Sequence, residues 1–340
     1  DHRDLHSFPT RRSSDLLRKS GQGLLYHPEK DPNRWNRMQR LNRSLSQFNP
    51  GRWIVSANQP PMLDPRLASP FRTHASRFHR IGELLRDAKR IDRETVLSVQ
   101  KDVFSKSALA FAKDMAKVLR QVDASSTWAS VLESWDGRYQ TDQEAPLDIS
   151  LFAFHLTHAL YGEKTSPKVL EAMLASVHLY DVLDEDLRSG TWEYVQIRSV
   201  VRDVERDRKK FKTFGDYHRV RLSYPLSILP WIGKKFVFRD LPWPGASDTV
   251  MKASFAPSRE ARDVTFGAQA RYVFDFSDAN ANDFMMLGGE DGWIGSENFD
   301  DMVDDWLADR WMRMPLEPAA AEALFGYRTE LSPTSTASAE

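Results

Sequence analysis

Two consecutive prolines at the end of a short apolar segment restrict the fold of this chain more than any other feature. Residues 53–55 are Trp, Ile and Val, the aromatic and β-branched types that favour a strand. Pro60 and Pro61 follow closely, and proline cannot continue a strand ladder because it lacks the backbone N–H. The sequence therefore predicts a short strand that ends near Asn58.

Asn58 lies at the end of this predicted strand, where its side-chain amide can act on a ligand. An amide offers two N–H donors, and donors held by a stiff backbone can stabilise a developing oxyanion. The alternative is an asparagine that satisfies the backbone of a turn. Gln59, the next residue, has the same donor chemistry.

A basic amphipathic helix is predicted next, from residue 69 or 72 to Ala88. Arg77 and Arg80 lie about one turn apart on it. One of the two can therefore face Asn58 while the other faces solvent or an acidic neighbour.

The segment from Asn49 to Leu85 resembles the penicillin acylase (penicillin amidase) family of N-terminal-nucleophile hydrolases. The β chains of that family carry a G-x-I-x-x-A-N segment, followed by a helix that contains R-x-x-R-I-x-x-L-L. The resemblance extends over about residues 24–320, in the same order and spacing. Further similar elements are Leu132–Gly137, Phe214–Val220, Pro244–Val250 and Ala270–Asp275.

The resemblance implies an α+β fold, as the C-terminal part of an αββα sandwich with a large helical subdomain. We expect residues 17–328 to form this β-chain fragment, with a helical part over about 69–210 and a strand-rich closing part over about 212–320. The tail 329–340 is poor in apolar residues and is expected to be disordered.

Pattern and capping residues predict the individual elements. The predicted helices are 92–122, 127–135, 147–160, 166–208 with a break near Ser189 and Gly190, and 299–314; the predicted strand is 271–277.

Residues 1–16, DHRDLHSFPTRRSSDL, resemble the in-frame translation of a sequencing adapter, and we exclude them from the fold. An adapter joined to a reading frame implies a broken gene. We therefore expect the α chain and the N-terminal part of the β chain to be missing partners.

The resemblance also assigns roles to two residues. Asn58 matches the asparagine of the oxyanion hole, and Arg77 matches the arginine that orients it. The alternative is that Arg77 forms an ion pair on the helix surface. In that case Arg72 or Arg80 would orient Asn58 instead. Because the family's N-terminal serine nucleophile lies well upstream of this motif, we expect it before Leu17.

Other candidates have simpler explanations. His218 is expected to pack or to form hydrogen bonds between domains. His155 and His158 are spaced for metal ligation, but helix histidines whose hydrogen bonds are satisfied are the preferred interpretation.

The acidic set Asp300, Asp301, Asp304 and Asp305, with Glu290 and Asp291 upstream, suggests a calcium site, although a solvated helix face is preferred. The loop 288–292 is a poor phosphate site because its carboxylates repel anions. No cofactor is expected in this chain; a structural calcium in the complete enzyme is implied by the family.

Composition restricts the partners. The net charge is −1, which favours neither nucleic acid nor a membrane surface, and no apolar run approaches the roughly 20 residues that span a bilayer. Zero cysteines exclude disulfides and thiolate chemistry.

From the resemblance we expect a parent amidohydrolase that cleaves small N-acyl compounds such as penicillins or acyl-homoserine lactones, and that is periplasmic or secreted as in the family. The alternative is a non-catalytic helical binding or structural module.

Overall fold

The structure is a computed structural model that describes residues 16–17, 39–40, 53–59, 74–293 and 295–330. The chain divides into two units. Unit 1 contains the described residues within Asp1–Arg90, Val99–Arg221 and Asp240–Phe266. Unit 2 contains those within Ile91–Ser98, Leu222–Arg239 and Gly267–Glu340.

Helices fill the chain from Ser76 to Arg208. They are α1 (Ser76–Asp87), α2 (Arg93–Gln100), α3 (Lys106–Val122), α4 (Thr127–Ser134), α5 (Ala145–Tyr161), α6 (Pro167–Leu174), α7 (Leu179–Ser189) and α8 (Tyr194–Arg208). Helix α5 packs most extensively against α8, and α3 packs against α7 and α4. The core of unit 1 lies between these helices, because Phe111 and Met115 of α3 and Leu151 and Phe152 of α5 are fully buried.

Serine side chains set the start of three helices. Ser105, Ser126 and Ser166 each accept a hydrogen bond from the backbone N–H three residues later, at 3.1 to 3.4 Å. Such caps satisfy N–H groups that have no partner inside the helix. Gly190, in the left-handed conformation (φ +70°), follows the last residue of α7.

Two of the predicted helical regions each contain one more break than the sequence indicated. The single helix predicted over 92–122 is wrong: α2 and α3 are separated by residues 101–105. Within this gap, Phe104 forms an isolated β-bridge with Arg138, and Ser105 begins α3. The region 166–208 breaks at Gly190 as predicted, and also at residues 175–178.

Short strands follow from His218 onwards, preceded by the short helix α9 (Phe214–Tyr217). The strands are β3 (His218–Ser223), β4 (Val237–Pro242), β5 (Ala253–Ser254), β6 (Arg262–Asp263), β7 (Phe266–Gly267), β8 (Ala270–Val273), β9 (Asp283–Met286) and β10 (Met312–Arg313). One sheet has the order β4-β3-β6, with β3 and β6 parallel, and β5 pairs with β7. In unit 2, β10-β9-β8 form an antiparallel sheet in which Tyr272 is opposite Phe284. Near the start of the chain, β1 (Leu16–Leu17) pairs with β2 (Gln39–Arg40). The predicted α+β class is confirmed.

Three other predicted elements differ from the structure. Residues 53–56 form no strand, since no ladder partner pairs with them among the described residues. The predicted strand 271–277 ends at Val273, and Asp275 instead binds the backbone N–H of Ser277 in a turn. The predicted helix 299–314 is reduced to α10 (Val303–Leu307), because Asp309 takes a left-handed conformation (φ +56°). A further helix, α11 (Pro318–Leu324), follows.

Among the described residues, no helix is both long enough and apolar enough to cross a membrane. Residues 331–340 and most of 1–52 lie outside the description, so the predictions for the adapter segment and the tail stay predictions.

Candidate active site

The segment 53–59 runs along helix α1 and contacts it at both ends. A Cβ placed on Gly82 of α1 would lie 3.6 Å from the indole Cη2 of Trp53, so the indole packs where the helix has no side chain. At the other end, Arg77 of α1 contacts Ala57 and Asn58. The helix therefore positions the segment that carries Asn58.

Asn58 occupies a conformation that few residues adopt. Its φ is +60°, in the left-handed region where asparagine is enriched among residues other than glycine. Ala57 before it is buried, and the side chain of Gln59 accepts a hydrogen bond from the Ala57 N–H at 2.6 Å. The Asn58 side chain itself is exposed. The local fold thus presents an amide to the surface on a restrained backbone, which is a feature associated with functional sites.

Arg77 fixes the orientation of that amide. One guanidinium nitrogen, Nη2, donates to the Ala57 carbonyl and to the Asn58 Oδ1, each at 3.3 Å. Because arginine has donors and no acceptor, the atom of Asn58 that faces it must be the oxygen. The two N–H donors of Asn58 therefore lie on the other arm of the amide. Burial lowers the pKa of Arg77, and the guanidinium remains charged.

Arg80, one turn further along α1, contacts an acidic residue instead of Asn58. It binds both carboxylate oxygens of the buried Asp102, at 2.9 and 2.8 Å, and its guanidinium lies 4.5 Å from the ring centre of Phe104. The sequence prediction that one arginine faces Asn58 and the other an acidic neighbour agrees with this geometry. Arg72 lies outside the described residues.

The three histidines considered from the sequence are positioned by neighbours within unit 1. His218 is fully buried, stacks on Phe214 and makes a 2.7 Å hydrogen bond through Nδ1 to the Trp243 carbonyl. His155 is buried against Asp207 at 3.0 Å. His158 is exposed and lies against the Phe154 ring.

Three members of the acidic set of unit 2 lie close to arginines. Arg239 lies 3.1 Å from Asp300 and 3.6 Å from Asp304, and Arg310 lies 2.7 Å from Asp305. The loop 288–292 is irregular, and Met302 N–H donates to the Gly288 carbonyl.

Sequence reasoning missed a cavity of about 590 Å³ in unit 1 that charged and polar side chains help to line. On its wall, the buried Asp248 accepts hydrogen bonds from Ser105 and Ser107 at 2.6 and 2.7 Å, and burial raises its pKa. His74 and Asp181 also line it, joined at 2.8 Å. Asp248 falls in the motif Pro244–Val250, but no local pattern connects His74 with a residue 107 positions away.

The fold is of the α+β class, and the Asn58–Arg77 pair holds an exposed amide on a restrained backbone. Comparison with known proteins identifies the family: the sequence profile of the penicillin amidase family matches residues 4–323. The chain belongs to the penicillin amidase family, whose fold is the N-terminal-nucleophile hydrolase sandwich. The match includes residues 4–16, so the adapter interpretation stays a prediction.

One curated relative is the penicillin acylase 2 proenzyme of Pseudomonas sp. (strain SE83). It is 22% identical to this chain over 215 residues, which cover 57% of this chain and 28% of the relative. The aligned region thus spans less than a third of the relative's length.

Proposed function

We propose that this chain carries the oxyanion-binding part of an amidohydrolase that cleaves linear amide bonds of N-acyl compounds. The observation that supports the proposal is the Asn58–Arg77 pair, because Arg77 donates to the amide oxygen of an exposed asparagine that lies on a restrained backbone. Family membership supports hydrolase chemistry of the penicillin acylase type.

In the proposed mechanism, a nucleophile attacks the amide carbonyl and negative charge develops on the carbonyl oxygen. The Asn58 N–H donors stabilise that charge, and Arg77 keeps the amide from rotating. A freed N-terminal serine in the preceding part of the protein supplies the nucleophile. Its own α-amino group, with a pKa of roughly 7.7 to 8.0, is the base. Ser56 is not assigned this role.

The proposed substrates are N-acyl compounds such as penicillins or acyl-homoserine lactones, and the proposed location is periplasmic or secreted. Both rest on family membership. The first test is to sequence an unbroken copy of the gene and to determine the N-terminus of the mature β chain. A Ser, Thr or Cys freed by processing is expected there. A frame without one would leave the non-catalytic helical module as the better explanation.

The second test concerns Asn58 in the complete, processed protein. Asn58→Ala should fold normally and lower kcat for amide hydrolysis by about 10²- to 10³-fold, the usual effect of removing one oxyanion donor. Asn58→Asp retains the shape but replaces the donors by charged acceptors, and should be at least as impaired. Gln59→Glu, the matched change next to it, tests whether any added charge has the same effect. Unchanged turnover in Asn58→Ala would remove Asn58 from the mechanism.

A further inference from the structure

Two histidines and one aspartate meet on the surface of unit 1. His74 lies two residues before α1, His178 directly precedes α7, and Asp181 lies in the first turn of α7. One nitrogen of each histidine and one carboxylate oxygen of Asp181 all lie within 4.8 Å of one another. Asp181 Oδ2 is 2.8 Å from His74 Nε2 and 3.6 Å from His178 Nδ1.

We propose that His74, His178 and Asp181 form a binding site for a divalent transition metal, for which zinc is the probe. Two imidazole nitrogens and one carboxylate oxygen are ligands that zinc uses in proteins. In a tetrahedral site with bonds of about 2.0 to 2.1 Å, ligand atoms lie about 3.3 Å apart. The observed separations therefore require small side-chain movements. The proposal is independent of amide hydrolysis.

The chemistry of the ligands selects the metal. Calcium and magnesium prefer all-oxygen sites, whereas imidazole suits zinc and its neighbours in the first transition row. The chain has no cysteine, so thiolates do not compete for the ion. A metal with three protein ligands keeps a fourth position for water. Solvent can reach that position because His74 and Asp181 also line the 590 Å³ cavity.

The surroundings of His74 set a limit on affinity. The Ser76 N–H donates to His74 Nδ1 at 3.1 Å, so the neutral ring carries its proton on Nε2 and donates it to Asp181. A metal at Nε2 displaces that proton, which moves to Nδ1 while Asp181 binds the metal. The Ser76 N–H then loses its acceptor, but N–H groups of a first helical turn are readily hydrated. Ser76 remains anchored through its hydroxyl, which donates to the Asp248 carbonyl at 3.1 Å. Two hydrogen bonds, from His74 to Asp181 and from the Ser76 N–H to His74, are therefore exchanged for metal ligation. Affinity should increase with pH because a proton competes with the metal.

The test is calorimetric titration of the tag-free chain with zinc chloride and then with calcium chloride. We expect one zinc ion per chain and weaker binding of calcium. Asp181→Asn and His178→Ala should each weaken zinc binding by about 10- to 100-fold. His158→Ala removes an exposed histidine elsewhere and is the matched control, with affinity unchanged.

Two further measurements separate loss of the site from loss of the fold. Thermal unfolding in EDTA should give a Tm for Asp181→Asn at most slightly below that of wild type, because the amide oxygen can still accept from His74 although the charge at the start of α7 is lost. Zinc should raise the Tm of wild type and not that of Asp181→Asn, since an ion that binds the folded state stabilises it. Visible absorption of bound cobalt(II) should likewise disappear in His178→Ala. Equal zinc affinity in wild type and both ligand variants, or no saturable binding, would overturn the proposal.

Discussion

Arg77 is a positioning residue, and its removal should affect turnover through Asn58. Without the guanidinium, the amide oxygen of Asn58 and the Ala57 carbonyl both lose a donor. The amide can then rotate or shift. In the complete protein, Arg77→Ala should lower kcat by up to about 10²-fold, the scale associated with a 1 Å misplacement, and should change KM little.

A double-substitution cycle distinguishes this role from general stabilisation. If Arg77 acts by orienting Asn58, the loss in Asn58→Ala/Arg77→Ala should be close to that of Asn58→Ala alone. Arg77→Lys keeps the charge but not the fork of donors, and should restore part of kcat. Losses that add fully in the double variant, or a loss only of folded protein, would contradict the assignment.

How far the site follows from sequence depends on the distance along the chain. Arg77 is 19 residues from Asn58, and motif and helix period together indicated their proximity. The helix period also indicated that Arg80 points in a different direction from Arg77, but not that its partner is Asp102, which lies 22 residues away outside α1. The His74–Asp181 contact spans 107 residues and depends on the packing of helices, so no local pattern indicates it.

At the scale of elements, Gly137 connects α4 to the bridge between Phe104 and Arg138. Its φ is +84°, and a Cβ there would lie 2.6 Å from Phe104 Cε2. Gly137→Ala should therefore suffer both backbone strain and a clash, and should reduce the free energy of unfolding by about 2 to 4 kcal/mol. Chemical denaturation of the chain measures this change.

Gly190 supplies the matched control because it has φ +70° but nothing within 4 Å of the added Cβ. Gly190→Ala should reduce the free energy of unfolding by about 1 to 2 kcal/mol, through strain alone. Equal losses at Gly137 and Gly190 would show that the Phe104 ring moves aside without penalty.

The same bridge explains where helix prediction failed. Residues 92–122 have helical periodicity, but Phe104 pairs with Arg138, and the Ser105 N–H donates to the Gly137 carbonyl at 2.9 Å. These contacts come from a segment more than 30 residues away, and they replace the hydrogen bonds of a continuous helix. Local caps such as Asp92, which accepts from the Thr95 N–H at 3.0 Å, were predictable because they act over three residues.

At the scale of the whole molecule, buried neutral histidines contribute to how the stability of the chain responds to acid. His218 is fully enclosed, and burial lowers its pKa from the ordinary value of 6.5 to about 4, against the opposing effect of nearby carbonyls. His155 is also buried, and burial lowers its pKa. In both cases the unfolded chain binds a proton more readily than the folded one.

The sign of the pH dependence follows. Above pH 6.5, His218 is neutral in both states and its contribution to stability is complete. Between pH 6.5 and 4 the unfolded state gains a proton that the folded state excludes, so stability falls with decreasing pH. The total loss from His218 should be about 3 kcal/mol, at 1.36 kcal/mol per pKa unit.

His218→Asn tests this expectation because the asparagine amide nitrogen takes the position of Nδ1 and can still donate to the Trp243 carbonyl, but does not titrate. The free energy of unfolding should be lower than wild type at pH 7, and its decrease from pH 6.5 to 4 should be smaller by about 3 kcal/mol. Tyr217→Phe is the control: it removes the 3.0 Å hydrogen bond to the Ser258 carbonyl from an equally buried neighbour. It should destabilise the chain by a similar amount at each pH, because burial raises the pKa of Tyr217 far above this range. If His218→Asn and wild type lose stability in parallel as the pH falls, the acid sensitivity of the chain originates elsewhere.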